Sequence, residues 1–200
     1  MKRVTGKVAI VTGAGSAGTG WGNGKATAVL FAREGAKVMA VDRKLSAADE
    51  TRRIIQEEGG DCRTQQTDIS QANQVKAMAE QCLEAYGQID ILHNNVGGQG
   101  TGRSLDTITV EDWNATFERN VTTAMLTCRK IVPIMEKQGN GSIINISSGA
   151  GIMGFPIRSP YAASKWAVVG LTKTLAMELG LSLIHISEPT SRYASSYAVF

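Results

Sequence analysis

Tyr161 and Lys165 stand four residues apart in Tyr161-Ala162-Ala163-Ser164-Lys165, a spacing that puts both side chains on one face of a helix. A phenol ionises near pH ~10, too high for ready proton exchange at neutral pH, and an ammonium beside it favours the phenolate. The pair reads as an acid–base catalyst. Alone the pattern is common in helices, where an aromatic ring lying on a lysine stem is the ordinary explanation, so its neighbours matter. Ser147 and Ser148 follow the apolar run Ile143-Ile144-Asn145-Ile146. A hydroxyl at the carboxyl end of such a strand could hydrogen-bond a substrate carbonyl as charge develops on its oxygen; a serine pair satisfying a turn is the plainer alternative. Asn94-Asn95-Val96-Gly97 ends another apolar run, and Asn120 interrupts an apolar helical face, where a buried amide needs a partner.

A second chemistry lies in Thr12-Gly13-Ala14-Gly15-Ser16-Ala17-Gly18-Thr19-Gly20-Trp21-Gly22-Asn23-Gly24, which leaves the apolar run Val8 to Val11 and enters a helical pattern at Lys25. Glycines here permit positive φ and let the backbone approach a pyrophosphate, whose charge is drawn to the free N–H groups of a helix start. A Walker loop fails, because Thr19 stands in place of the first glycine and Ala26 in place of the magnesium-binding hydroxyl. A flexible structural loop would look similar. The order strand, loop, helix favours a dinucleotide instead, as does Asp42, an acid about 20 residues further on at the end of the next strand. Asp42 can accept from ribose hydroxyls and disfavours a 2′-phosphate, which points to NAD. Arg43 beside it could pair with that phosphate and keeps NADP open.

A frame must bring these residues to one edge, and the chain supplies one. Short β-branched runs alternate with longer amphipathic ones, the mark of a doubly wound α/β fold, a Rossmann-type parallel sheet. The pattern predicts strands at Val8 to Val11, Lys37 to Val41, Cys62 to Gln66, Ile89 to His93 and Ser142 to Ile146. Helices fall at Lys25 to Glu34, Ala47 to Glu58, Gln71 to Tyr86, Val110 to Lys137 and Tyr161 to Leu179. Ser46 with Asp49, and Thr109 with Asp112, read as N-caps; Gly35 and Gly59 sit where a left-handed residue ends a helix.

Composition narrows the function classes. The 200 residues are 42% hydrophobic and 20% charged, a globular balance with neither repeat nor linker, so one domain is expected. A net charge of +3 from scattered lysines and arginines gives no footprint for a nucleic-acid partner. No apolar run is long enough to suggest a membrane partner, and no apolar core follows Met1-Lys2-Arg3, so the expected location is cytoplasmic. Cys62, Cys82 and Cys128 are odd in number and far apart, which fits buried reduced thiols. With only His93 and His185 besides, no metal site is expected. No G-x-S-x-G elbow supports an esterase.

Taken in order, the Thr-Gly start of the loop, Asn94-Asn95-Val96-Gly97, Asn145-Ile146-Ser147-Ser148 and Tyr161-Ala162-Ala163-Ser164-Lys165 resemble the short-chain dehydrogenase/reductase family over about Gly6 to Gly180. The resemblance implies that Tyr161 is the general acid/base, that Lys165 lowers its pKa and holds the nicotinamide ribose, and that Ser148 polarises the carbonyl with Ser147 as its structural neighbour. It implies that Asn120 holds a water in the proton relay. Gly13, Ser16, Gly22, Asn23 and Gly24 would meet the cofactor phosphates, Asp42 and Arg43 its adenosine ribose, Asp68 and Ile69 its adenine, and Asn95, Val96 and Gly97 the ribose wall. A homo-oligomer, dimer or tetramer if full length, is implied too. Two departures stand out. The family's T-G-x-x-x-G-x-G matches Gly22-Asn23-Gly24 only with about five residues inserted near Ala17 to Trp21, and Val96 replaces the usual alanine.

After Leu179-Gly180 the family's sixth strand, Pro-Gly loop, substrate-covering segment and seventh strand are not visible, so the last strands are expected to be missing. Leu181-Ser182-Leu183-Ile184-His185-Ile186-Ser187-Glu188-Pro189-Thr190 and the closing Ser196-Tyr197-Ala198-Val199-Phe200 resemble in-frame translation of a transposon-type sequencing adapter. The expected organisation is an incomplete dinucleotide-binding domain at residues 1–180 and a read-through tail at 181–200; a divergent sixth strand over Leu183 to Ile186 is the alternative. The expected activity is hydride transfer between NAD(P) and a small-molecule alcohol or ketone substrate, for instance as a 3-oxoacyl reductase. A nucleotide-binding protein without turnover, or an inactive fragment, stands as the alternative.

Overall fold

A computed structural model describes residues 2–18, 20–180 and 184–187. Six parallel strands form one sheet in the order β3-β2-β1-β4-β5-β6, with β1 Val8–Thr12, β2 Lys37–Asp42, β3 Cys62–Gln66, β4 Ile91–Asn94, β5 Gly141–Asn145 and β6 Ile184–Ser187. The order reverses between β1 and β4, and it is at such a switch point that an open α/β sheet leaves a crevice beyond its carboxyl edge. β1 is buried at all of its residues, as a strand covered on both faces must be.

Strand alternation sends successive side chains to opposite layers. Val8, Ile10, Met39 and Val41 pack with Met78 and Cys82 of α3 (Ala72–Tyr86), Ile131 and Met135 of α5 (Thr123–Gln138) and Leu179 of α6 (Ser159–Leu179). Val11, Val38 and Ala40 pack with Ala28 and Val29 of α1 (Asn23–Arg33) and Ile55 of α2 (Leu45–Glu57). Cys62, Cys82 and Cys128 are free and buried, and burial pushes each thiol up to about 12. They are the packed small hydrophobes expected.

Four expectations need correction. The helix predicted from Val110 to Lys137 is α4 (Val110–Phe117), a π-helical turn (Glu118–Thr122) and α5. The break falls at Asn120, whose carboxamide bonds to the Gly98 backbone on a neighbouring loop. Ser46 does not cap α2: the helix begins at Leu45 after an N-cap at Lys44, and the Asp42 carboxylate takes the Lys44 N–H at 2.9 Å instead. Thr109, by contrast, accepts from Asp112 N at 3.1 Å as expected, and Gly35 and Gly59 have φ of +93° and +79°. β4 begins two residues later than predicted because the Gln138 side chain takes both backbone groups of Ile89, at 3.0 and 2.9 Å. A sixth strand does form. Ile184 to Ser187 pair with Gly141 to Ile144, and Ile184, 4% exposed, joins the core with Leu179; the remainder of 181–200 lies outside the described residues.

Candidate active site

The glycine loop turns sharply out of β1. Gly13 has φ +63°, and a Cβ there would come within 3.0 Å of the Val96 side chain. A Cβ on Gly24 would fall on the Gly13 carbonyl, and one on Gly15 on the Ala47 side chain. Only glycine lets these backbones approach each other. Among the described residues no side chain caps the start of α1 at Gly22, so the N–H groups of its first turn are left for an anion. Ser16 is committed to the loop itself: its hydroxyl donates to Gly20 O and accepts from Gly22 N, both at 2.9 Å.

Asp42 ends β2 half-buried, its two oxygens accepting from Gly15 N at 3.0 Å and Lys44 N at 2.9 Å. Those bonds fix the carboxylate against the loop and leave lone pairs free. Arg43 is exposed beside it. Asp68 accepts from the Ser70 N–H at 3.0 Å and hydroxyl at 2.8 Å, bonds that hold its carboxyl below the usual range. Asn95 bridges β4 to β1, with Nδ2 donating to Gly13 O at 3.1 Å and its backbone N–H to the Thr12 hydroxyl at 3.1 Å. Every cofactor-side residue expected from the sequence between Gly13 and Gly97 lines one cleft of about 660 Å³ at the carboxyl edge.

Tyr161, Lys165, Ser148 and Asn120 lie beyond that lining, and Gly97 is the joint. A Cβ there would stand 2.7 Å from Asn120 Oδ1 and 3.1 Å from Lys165 Nζ. Lys165 is 4% exposed; its ammonium donates to Ile146 O at 2.9 Å and lies 5.9 Å from the centre of the Tyr161 ring. Burial pulls its pKa down to about 8, so it stays mostly charged at neutral pH. Tyr161 is itself buried, at 9% exposure. The turn carrying Ser148 is pinned to the same helix: Ser147 Oγ donates to Lys165 O at 3.0 Å, and Gly151 lies against that carbonyl without room for a Cβ. Ser148 is half-buried, and its oxygen accepts from Ala150 N at 3.3 Å. Its own proton has no acceptor among the described residues. Asn120 gives Nδ2 to Gly98 O at 2.9 Å and Thr116 O at 3.0 Å, while Oδ1 takes Gly98 N at 3.0 Å.

Beneath the edge a buried chain of side chains ties the layers together. Thr127 donates to Asn94 at 2.8 Å, Asn94 to Asn145 at 2.9 Å, and Asn145 to Thr172 at 3.0 Å. His93 takes no part in the site. It lies edge-on to Phe31, and burial pushes it down to about 4. Sequence reasoning missed Thr67 and Arg119, which also line the cleft. Thr67 Oγ1 is buried with no hydrogen-bond partner among the described residues; its place beside Asp68 just after β3 was the available signal. A dinucleotide fits these residues: the glycine cradle has no Cβ to block it, the helix start is uncapped, and a buried hydroxyl in the cleft wants a partner.

A model of the short chain dehydrogenase family matches residues 7–190. The 3beta-hydroxysteroid dehydrogenase of Mediterraneibacter gnavus is 36% identical over 178 residues, 89% of this chain and 62% of that protein. The 3-oxoacyl-[acyl-carrier-protein] reductase FabG of Thermotoga maritima is 39% identical over 181 residues, 88% of this chain and 70% of that one. A crystal structure of NAD+-bound xylitol dehydrogenase superposes with a TM-score of 0.90 at 31% identity, covering 98% of this chain and 73% of its own. The chain thus spans somewhat under two thirds to about three quarters of these proteins' lengths. The matched stretch runs from the first strand past the Tyr161 helix, and the chain belongs to the short-chain dehydrogenase/reductase family.

Proposed function

We propose that the protein is an NAD(P)-dependent oxidoreductase passing hydride between nicotinamide and the carbon of a secondary alcohol or ketone, with Tyr161 as general acid/base. The observation that carries this is the burial of Tyr161 and Lys165 together on one face of α6, beside a glycine-cradled cleft. The bound coenzyme supplies or accepts the hydride. Tyr161 gives its phenolic proton to the carbonyl oxygen in reduction and takes it back in oxidation. The Lys165 ammonium, held by Ile146 O, stabilises the negative charge that forms on the phenol oxygen, and its remaining donors serve the ribose. Ser148 has a free O–H for the substrate oxygen. Asn120 fastens the Gly97–Gly98 wall beside Lys165 and keeps one Oδ1 lone pair for a water in the proton relay.

On the coenzyme side the fixed Asp42 carboxylate meets the adenosine ribose, which favours NAD; Arg43 is placed to serve NADP. A small-molecule substrate, a cytoplasmic setting and a homo-oligomer belong to the same reading. The last draws support from large apolar side chains exposed on α4, α5 and α6, among them Trp113, Met125, Trp166 and Met177. Residues 181–200 are read as adapter-derived, which sequencing the DNA would test: ordinary genomic codons there would sink it. The test of function is coenzyme oxidation with NADH and NADPH over a panel of ketones. Tyr161→Phe should lose about 10²- to 10⁴-fold in turnover while still binding coenzyme. Full turnover by that variant would overturn the mechanism, and NADH binding with no turnover on any ketone would favour a binding protein.

A further inference from the structure

Lys25 is a buried cation that the chemistry at Tyr161 leaves unused. It lies in the first turn of α1 at 2% exposure, at the end of a helix whose dipole disfavours positive charge. A lysine in that place needs compensation, and three partners supply it. Its ammonium reaches Glu50 Oε1 at 2.7 Å and Gly20 O at 3.3 Å, and lies 5.9 Å from the centre of the Trp21 ring. Glu50 neutralises the charge, so the ammonium is not a free point charge for phosphate. The other two partners belong to the stretch from Ala17 to Trp21 by which this loop exceeds the family's usual spacing.

Gly20 is gripped twice. Ser16 Oγ donates to the same carbonyl and accepts from Gly22 N, and Gly20 itself has φ +108°, a conformation that glycine adopts freely. The tie therefore runs from Lys25 through the inserted turn to Gly22, the residue from which the uncapped start of α1 opens onto the cleft. We propose that Lys25 is a positioning residue for the dinucleotide. By holding the Gly20 carbonyl and the Trp21 ring it fixes the inserted turn, and so keeps the first N–H groups of α1 presented to the diphosphate. The proposal rests on the cofactor reading above and adds the device that makes a lengthened loop compatible with it.

Two variants test it. Lys25→Met keeps the stem and removes the ammonium; Gly20→Ala shifts the carbonyl through the backbone alone, since a Cβ there meets nothing within 4 Å. With Trp113 and Trp166 changed to Phe, Trp21 is the sole tryptophan, and acrylamide quenching of its emission reports the turn in the coenzyme-free protein. Lys25→Met should raise quenching of Trp21, weaken NADH binding at least tenfold in a fluorescence titration, and raise the KM for NADH with kcat within twofold. Gly20→Ala should weaken binding likewise, and the double variant should be no weaker than the worse single one, because both cut the same tie. NADH binding by Lys25→Met within twofold of the unaltered protein overturns the proposal, as does a double variant that loses the product of the two single factors. Failure of the unaltered protein to bind NADH or NADPH overturns the cofactor reading itself, and this proposal with it.

Discussion

Lys165→Met should stabilise the coenzyme-free protein while abolishing turnover. Burial brings the Lys165 pKa from its ordinary value near 10.5 to about 8, and at about 1.4 kcal/mol per pH unit the charged form costs the fold about 3 kcal/mol. Among the described residues the ammonium makes one hydrogen bond, to Ile146 O, whose loss offsets about 1 kcal/mol of the gain. The net at pH 7 is a stabilisation of about 2 kcal/mol. The pH dependence has a definite sign. Below pH ~8 both folded and unfolded Lys165 are protonated and the penalty is constant; between ~8 and ~10.5 the unfolded chain holds the extra proton, so the unmodified protein gains stability with rising pH. Above that interval the penalty is gone. Urea unfolding followed by circular dichroism at pH 7 and at pH 9.5 measures it, and the difference between protein and variant isolates Lys165 from other titrating groups. A variant less stable at pH 7, or a difference that does not narrow at pH 9.5, would refute the reasoning that this lysine is kept for chemistry at a cost in stability.

Gly24→Ala puts a Cβ on the Gly13 carbonyl; it should cost about 1–3 kcal/mol in urea unfolding and remove NADH binding in a fluorescence titration. Asn145→Leu leaves the buried Asn94 amide only the Cys128 thiol at 3.6 Å and removes the donor to the Thr172 hydroxyl, which keeps its own bond to Val168 O; it should destabilise by about 1–3 kcal/mol, read from the same unfolding curves. Ile184→Asp sets a carboxylate at a 4% exposed position in the main core. A loss of about 2–3 kcal/mol, with faster hydrogen exchange along β5, would confirm that β6 holds the sheet edge in solution.

The candidate site was legible because each element of it is local. The four-residue step from Tyr161 to Lys165 is a helix face, and the glycines between Gly13 and Gly24 declare a backbone that must come close to something. The strands were legible for a similar reason: Val8 to Val11 is apolar throughout, which only a doubly covered strand tolerates. What stayed hidden depends on partners far away in the chain. Nothing near Asn120 announces a π turn, since the Gly98 peptide that occupies its carboxamide lies on another loop. Ser46 has the local form of a cap and is displaced by Asp42, whose carboxylate answers to Gly15 as well as to Lys44. Lys25 reads as one more surface cation until Glu50 and the inserted turn close over it.

β6 shows how little specificity a parallel sheet edge demands. β5 presents a row of N–H and C=O groups to whatever lies beside it, and the pairing bonds are made by backbone, which every sequence has. The side chains need only supply alternation, and Ile184-His185-Ile186 does so: Ile184 is buried, His185 is exposed and Ile186 is half-buried against the core. A segment of any origin with two β-branched residues at that spacing, arriving after Leu179, meets the same requirement. The position of β6 in the sheet is therefore compatible with descent within the family and with the adapter reading alike. Tyr161, Lys165 and Ser148, the proposed catalytic set, must be matched in type as well as in pattern, so the alternation that suffices to seat β6 would not suffice for any of them.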